Sequence, residues 1–369
     1  MYYPNWRYYM DNIFLYLVIG LVFLFTFVNG FHDGCNVVAT IIASRSMRPK
    51  KALIWASIFE FLGVVFLGTA VASTVGKGII DLSVIKHGSY VSLALIFSGV
   101  LSALLWNIIT WLLALPSSSS HALIGGLVGG GIGAFGVNVI HWEVLLLKVI
   151  LVMFITPIIG MFVGFLLTRF SFKILANCPL SINNLIKRIQ FFSMCFLGAS
   201  HGTNDAQKSM GLIALVLASY GVIDYFYVPK WVILGCGFAI SLGVLSGGWR
   251  LIKTIGFRIF DLEPIHSLNS QLAAGSVIYI SGLFGSPVST SQIMSSSIMG
   301  VGAAHRFKQV RWEVAKDIFL AWFITIPVVC ILSILFYWTV AYFFDLQQTS
   351  IHLILRKFKI LMGFLYGII

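Results

Sequence analysis

The stretch Ile13-Phe-Leu-Tyr-Leu-Val-Ile-Gly-Leu-Val-Phe-Leu-Phe-Thr-Phe-Val28 runs directly into Asn29-Gly-Phe-His-Asp33-Gly-Cys-Asn36. The first part is almost wholly apolar and close to the ~20 residues a helix needs to cross the hydrocarbon of a bilayer. The second part sets a carboxylate and two amides at the end of that run. Charge inside an apolar span is costly, so it marks a working position. Asn29, Asp33 and Asn36 fall at i, i+4 and i+7, on one helical face. Gly30 and Gly34 flank the acid and are expected to ease unwinding of the helix there.

The rest of the chain has the same character. Of 369 residues, 59% are hydrophobic and 10% charged, against roughly 25% charged in an average soluble domain. A soluble fold would expose much of this apolar surface to water, which excludes a soluble enzyme. A membrane β-barrel would alternate polar and apolar residues with period two, and these continuous runs do not. An all-α polytopic integral membrane protein remains. Apolar spans are expected at 13–28, 51–73, 89–115, 143–168, 189–200, 210–220, 231–247, 266–284 and 313–338. Shorter Gly/Ser-rich stretches lie at 121–136 and 292–304, and the tail 351–369 carries Arg356, Lys357 and Lys359 in a short apolar run. The start, Met1-Tyr-Tyr-Pro-Asn-Trp6, has no basic region of the kind that opens a cleavable signal, so the first run is expected to stay as an anchor. Cys35, Cys178, Cys195, Cys236 and Cys330 show no CxxC spacing and are expected to be free thiols.

The 24 Lys and Arg outnumber the 12 Asp and Glu, for a net charge of +12. They are not laid out as a surface for nucleic acid. Arg45, Arg48, Lys50 and Lys51 form one cluster, and Arg169, Lys173, Lys187 and Arg188 a second. Arg250, Lys253 and Arg258 form a third, and Arg306, Lys308 and Arg311 a fourth. By the positive-inside rule these loops are cytoplasmic. Loops 77–87, 138–148 and 221–230 are nearly neutral and are expected outside.

Asn29-Gly-Phe-His-Asp33-Gly-Cys-Asn36 has a counterpart in His201-Gly-Thr-Asn-Asp205-Ala-Gln-Lys208, where Asp33 pairs with Asp205 at an offset of 172. Leu115-Pro-Ser-Ser-Ser-Ser120 matches Ser286-Pro-Val-Ser-Thr-Ser291, with the prolines 171 apart, and Trp142-Glu-Val matches Trp312-Glu-Val at 170. Three matches in one order, with offsets drifting by one or two, indicate an internal duplication. The basic loop 45–51 matches a neutral loop in the second half, and the neutral loop 138–143 matches the basic loop 306–311. Matched loops therefore swap sides, and the two repeats are inverted in the membrane. This divides the chain into an extracytoplasmic segment 1–12, repeat one 13–168, a cytoplasmic linker 169–188, repeat two 189–340 and a C-terminal segment 341–369. Inverted repeats are a transporter architecture, with broken helices and a site near the midplane between the halves.

The deep charges are few: Asp33, Glu60, Asp205 and Lys208. His201, Asp205 and Lys208 repeat the helical face of Asn29, Asp33 and Asn36. Ser57 lies three residues before Glu60 on the same face, and an unpaired carboxylate in that run would be protonated or hold a cation. Ser117 to Ser120 follow Pro116, and Ser289, Thr290 and Ser291 follow Pro287. Proline followed by hydroxyls suits a helix N-terminus, where free N–H groups and hydroxyls attract an oxyanion. Two such tips meeting through inverted repeats would hold an oxyanion between them. The deep charges sum to −2, which repels an anion unless cations or protons enter with it. That favours cation-coupled symport over an anion channel. An intramembrane hydrolase built on Ser120 and His121 is disfavoured, because adjacent helix residues point to different faces.

These segments resemble the PiT family of inorganic phosphate transporters over about residues 13–340. The resemblance is carried by Asn29 to Asn36, by Leu115-Pro-Ser-Ser-Ser-Ser-His-Ala122, by His201-Gly-Thr-Asn-Asp-Ala-Gln-Lys-Ser-Met-Gly211 and by Gly285-Ser-Pro-Val-Ser-Thr-Ser291. Met299-Gly-Val-Gly-Ala-Ala-His-Arg306 is similar to the bacterial branch. The resemblance implies a non-enzymatic secondary transporter of the cell membrane, among lipid, with no resident cofactor. It implies import of phosphate, in some members as a metal–phosphate complex, by alternating access coupled to H⁺ or Na⁺, with a homodimer as an expected assembly. Asp33 and Asp205 match the paired acids of transport and cation binding, and Glu60 a functional glutamate, which makes all three candidate Na⁺ ligands. Ser118, Ser119, Ser120, Ser289, Thr290 and Ser291 match the phosphate-binding tips, with Asn36, Asn204 and Lys208 beside them. Gln271 stands where many members carry Glu, which removes one cation or proton site and keeps both coupling ions open. Gln292 stands where the second tip commonly has His, whereas the first keeps His121. Sulfate, a second tetrahedral oxyanion, is the alternative substrate. His32 is placed to hydrogen-bond Asp33. His87 and His141 are expected in outer loops, and His266 and His305 near inner ones, as solvated or interfacial groups.

Overall fold

A computed structural model describes residues 5–80 and 90–343 of the chain. The expected terminal segments lie partly or wholly outside the described residues, as do the tail 351–369 and His87. Among the described residues the fold is helical, apart from one isolated bridge between Ile80 and Ile140. The helices are α1 (Asn5–Asp33), α2 (Cys35–Ala43), α3 (Pro49–Phe66), α4 (Ala70–Lys77), α5 (Tyr90–Leu112), α6 (Ser119–Phe135) and α7 (Leu151–Leu175). They continue with α8 (Ile182–Ser219), α9 (Lys230–Ser246), α10 (Trp249–Lys253), α11 (Pro264–Leu283), α12 (Thr290–Arg306) and α13 (Trp312–Phe343).

Four segments are long and apolar enough to cross a bilayer: Ile13–Ala43, Tyr90–Leu112, Val144–Leu175 and Trp312–Phe343. Two bent pairs join them, α3 with α4 at 76° and α9 with the segment Trp249–Arg258 at 61°. The outer faces are apolar, as on α7 and α13, where Ile158 is 69% and Leu320 59% exposed. Polar side chains cluster inside instead. This is the inversion expected where hydrocarbon, not water, surrounds the protein.

Of the breaks that the glycines beside the acids suggested, the one in the first half is present and the one in the second half is not. At Gly34 the helix gives way for one residue, and Gly34 N–H still bonds Gly30 O at 2.9 Å. α8 runs unbroken through Gly202 and Asp205, joining the two spans expected at 189–200 and 210–220. The buried side chains there satisfy one another, so the backbone ladder need not open. The sharp turns lie at Gly68 and Gly247, whose φ values of +96° and +69° only glycine adopts without strain. Gln207 of α8 spans the first bend: its Oε1 accepts Val71 N–H at 2.7 Å and its amide donates to Gly68 O at 2.6 Å. The expected linker 169–188 narrows to the six residues between α7 and α8.

Small residues let helices cross closely. A Cβ on Gly202 would lie 2.6 Å from the carbonyl oxygen of Glu60, so α8 sits directly on the backbone of α3. Gly30 of α1 and Gly243 of α9 make the equivalent reciprocal contact. α5 with α6 and α11 with α12 form two hairpins whose turns carry Pro116 and Pro287, and α6 and α12 are buried along nearly all their length. At one end of the bundle Arg45, Phe172, Phe257 and Arg306, one from each basic loop region, line a common cavity. At the other end the neutral loops meet, with His141 N–H bonding Ile79 O at 3.0 Å. All five cysteines are free thiols.

Candidate functional site

The two hairpin tips meet α1, α2 and α8 in the interior. Each tip begins with a capping serine. Ser118 Oγ accepts His121 N–H at 3.1 Å, and Ser289 Oγ accepts Gln292 N–H at 3.4 Å. These two hydroxyls therefore close the helix N-termini. The next residues face the acids. Ser291 donates to Asp33 Oδ1 at 2.7 Å, and Ser119 donates to Oδ2 of the same carboxylate. Thr290 donates to Asp205 Oδ2 at 3.3 Å. Ser120 donates to Val288 O at 2.8 Å, which ties the first tip to the second. Matched tip positions also touch, with the Gln292 amide nitrogen 3.3 Å from His121 Nδ1.

Asp33, Asp205, Glu60 and Lys208 are all at most 2% exposed. Lys208 reaches back along α8 to Asp205 Oδ1 at 2.5 Å, donates to Val288 O at 2.9 Å and bonds Ser120. A buried ammonium held by one carboxylate and two tip oxygens neutralises Asp205, which would otherwise face the full cost of burial. Asn29, on the same face as Asp33, donates across to Asp205 Oδ2 at 3.5 Å, so α1 supports both acids. Asn36 donates to Ser291 at 2.9 Å. Asn204 holds the second tip, accepting Val288 N–H and donating to Ser286 O, each at 3.3 Å.

Glu60 is not unpaired. His201 lies between it and Asp205, with Nδ1 2.8 Å from Glu60 Oε1 and Nε2 3.3 Å from Asp205 Oδ2. Ser57 turns away and donates to Ser241 O at 2.8 Å. On the first half His32 bridges similarly, with Nδ1 2.9 Å from Asp33 Oδ1 and Nε2 3.2 Å from Thr110 Oγ1. His201 was legible as the i−4 neighbour of Asp205, but nothing in the sequence paired it with Glu60, 141 positions away. Gln271 sits outside this cluster. Its amide donates to Thr40 at 3.1 Å and its carbonyl accepts Ser193 at 2.6 Å, further along α2. Among the described residues no three His, Cys, Asp or Glu side chains converge as a metal cage. Ser120 and His121 point to different partners, so no Ser–His nucleophile forms.

The result is a buried polar cluster of carboxylates, one ammonium and two helix N-termini, the last of which favour an oxyanion. The sequence profile of a family described as the Phosphate transporter family matches residues 29–182 and 173–333. A protein of Rhizobium meliloti named "Probable low-affinity inorganic phosphate transporter" is 40% identical, over 87% of this chain and 96% of its own. One from Bacillus subtilis is 36% identical, over 87% of this chain and 95% of its own. A solved structure titled "The sodium-dependent phosphate transporter" shares the fold, with a TM-score of 0.79 and 24% identity over 89% of this chain and 99% of that one.

Proposed function

This chain belongs to the phosphate transporter family, and we propose that it imports inorganic phosphate by alternating access, in symport with H⁺ or Na⁺. It is a multi-pass membrane protein and not an enzyme. The observation that carries the reading is the meeting of two hairpin tips, through Ser119, Ser120, Thr290 and Ser291, on Asp33, Asp205 and Lys208 in one buried polar cluster. The relatives named above are phosphate carriers, which gives sulfate no support.

The geometry supplies a reason for coupling. A hydroxyl has one proton to donate and turns to the strongest acceptor. With the carboxylates charged, the tip hydroxyls donate to them. Phosphate beside a carboxylate meets repulsion of about 4 kcal/mol per unit-charge pair at 4 Å and an effective dielectric of 20. Once H⁺ or Na⁺ neutralises Asp33 and Asp205, the hydroxyls and the N-terminal N–H groups turn to phosphate oxygens. Each ligand thereby strengthens the other's binding, as linkage requires. A Na⁺ ion would be held by one carboxylate with hydroxyl and amide oxygens around it. Glu60 would join the coupling ions through His201.

The inverted repeat fits this picture. The tips are capped alike, matched positions 121 and 292 touch, and the basic loops gather at one end with the neutral ones at the other. The basic end is then cytoplasmic. The test is radiolabelled phosphate uptake into proteoliposomes, with pH gradient, Na⁺ and sulfate varied separately. Uptake driven by one of the gradients is expected. No uptake under any gradient refutes the reading, and sulfate outcompeting phosphate transfers it to the rival substrate.

A further inference from the structure

A cleft of about 350 Å³ lies between α1, α5 and α9. Phe27, Phe31, Ile108 and Trp111 form its wall. His32 and Asn107 lie at its floor and are fully buried, so the surface an occupant meets is almost wholly apolar. The cleft opens on the outer face of α5, where Leu105, Ile108 and Leu112 recur at helical spacing and are 37%, 40% and 51% exposed. That stripe belongs to the apolar span Tyr90–Leu112, so the mouth faces hydrocarbon.

The matched positions of the second half enclose far less space. The offsets of 172 and 171 carry Phe31, Asn107 and Trp111 onto Thr203, Ile278 and Gly282. Those three line a gap of only about 10 Å³ between α8 and α11. Side-chain size would give the reverse, since Phe31 and Trp111 fill more room than Thr203 and Gly282. The width of the first cleft comes instead from its helices: α1 and α5 touch along less of their length than α8 and α11. Water gains no hydrogen bonds from an apolar wall, and the mouth opens on lipid. An acyl chain is the occupant that such a cleft admits.

Charge at the end of the cleft selects the headgroup. The Arg250 guanidinium lies 5.1 Å from the centre of the Trp111 ring, and its Nη1 donates to Leu112 O at 2.7 Å. Trp111 thus touches both the cleft and this cation. Lys253 follows three residues on along α10, and both cations are exposed. The segment Trp249–Arg258 holds three cations and no acid, and no acid among the described residues forms an ion pair with Arg250 or Lys253. By the positive-inside rule this end is cytoplasmic, level with the headgroups of that leaflet. An apolar cleft ending at unbalanced cations fits an anionic phospholipid, whereas a zwitterionic one brings its own cation to Arg250. The cleft also backs onto the candidate site. His32 bonds Asp33 and Thr110, and Ser117 beside the first tip donates to Thr110 at 2.8 Å.

We propose that this cleft holds one acyl chain of an anionic phospholipid, with the lipid phosphate on Arg250 and Lys253, so that the lipid braces α1 against α5 directly behind the His32–Asp33 pair. The measurement is electron paramagnetic resonance of spin-labelled phosphatidylglycerol, set against the same label on phosphatidylcholine, with the full chain in phosphatidylcholine nanodiscs. One equivalent of phosphatidylglycerol is expected to be motionally restricted in excess of phosphatidylcholine, with a preference of about tenfold or more. Arg250→Gln/Lys253→Gln is expected to bring the two lipids to the same level. Ile108→Trp narrows the mouth and is expected to release the extra equivalent although both cations remain. Equal restriction of the two lipids by wild type overturns the proposal. A preference that either variant leaves unchanged overturns it as well, and so does a dimer that restricts no extra lipid, which assigns the cleft to a second copy of the chain. Should Ile108→Trp fail to fold, Ser246→Leu fills the same cleft from α9, and an unchanged spectrum there overturns the proposal. The measurement involves no phosphate, so the lipid site and the transport reading stand or fall separately.

Discussion

Ser291 Oγ donates to Asp33 Oδ1 at 2.7 Å across 258 positions of sequence. The tip of the second hairpin thereby completes the acid of the first half, while Ser119 of the first tip binds the same carboxylate. The acids and the tips form one unit, so each should fail with the other.

Asp33→Asn and Asp205→Asn are each expected to reduce phosphate uptake to background while leaving a folded protein. An amide still accepts the tip hydroxyls but takes up neither a proton nor a cation. Proteoliposome uptake beside size-exclusion profiles decides this, and normal transport in either variant refutes the paired-acid model.

Lys208→Met leaves Asp205 buried beside an apolar chain. Removing one partner of a buried pair costs about 3–5 kcal/mol, so thermal unfolding should come markedly earlier. Adding Asp205→Asn removes the orphaned charge and should recover part of that stability. A double variant no more stable than Lys208→Met would show that the 2.5 Å contact is energetically idle.

Glu60→Gln breaks the charge of the Glu60–His201–Asp205 chain. The number of coupling ions moved per phosphate, read from reversal potentials, is expected to fall. An unchanged ratio would assign Glu60 a purely structural role.

Gln271→Glu is expected to create or strengthen Na⁺ dependence. The new carboxylate would keep Ser193 as a donor, and Thr40 can turn its hydroxyl to donate as well. Uptake measured against Na⁺ concentration should steepen in the variant, and an unaltered curve would remove position 271 from coupling.

Gly202→Ala forces a carbon to within 2.6 Å of Glu60 O, where only helix separation relieves the clash. A loss of about 1–3 kcal/mol is expected, as for overpacked cores. Gly198→Ala is the control, since its new carbon meets nothing nearer than 3.5 Å and stability should hardly change.

Much of the candidate site was legible because hydrocarbon makes charge conspicuous. Asp33, Glu60, Asp205 and Lys208 stand out from apolar runs with no structure in hand, and the duplicated spacing singles out the serines. The division of labour among those serines was not legible. Ser118 and Ser289 cap helices while their neighbours face carboxylates, and only the direction of each Cα–Cβ bond on the folded backbone separates the two roles. The breaks were only partly legible for a related reason. Glycine permits a turn without requiring one: the helix is interrupted at Gly34, runs on through Gly202, and bends sharply at Gly68 and Gly247.

Hydropathy and spacing along one chain were enough for the membrane class, the three matched motif pairs, the basic loops and the charges set within apolar runs. The tertiary structure alone decided which charges compensate which. His201 between Glu60 and Asp205, and Lys208 on Ser120, depend on helices far apart in sequence meeting within hydrogen-bond reach. In a low-dielectric interior those distances set the energy of every buried charge, and spacing along one helix does not contain them.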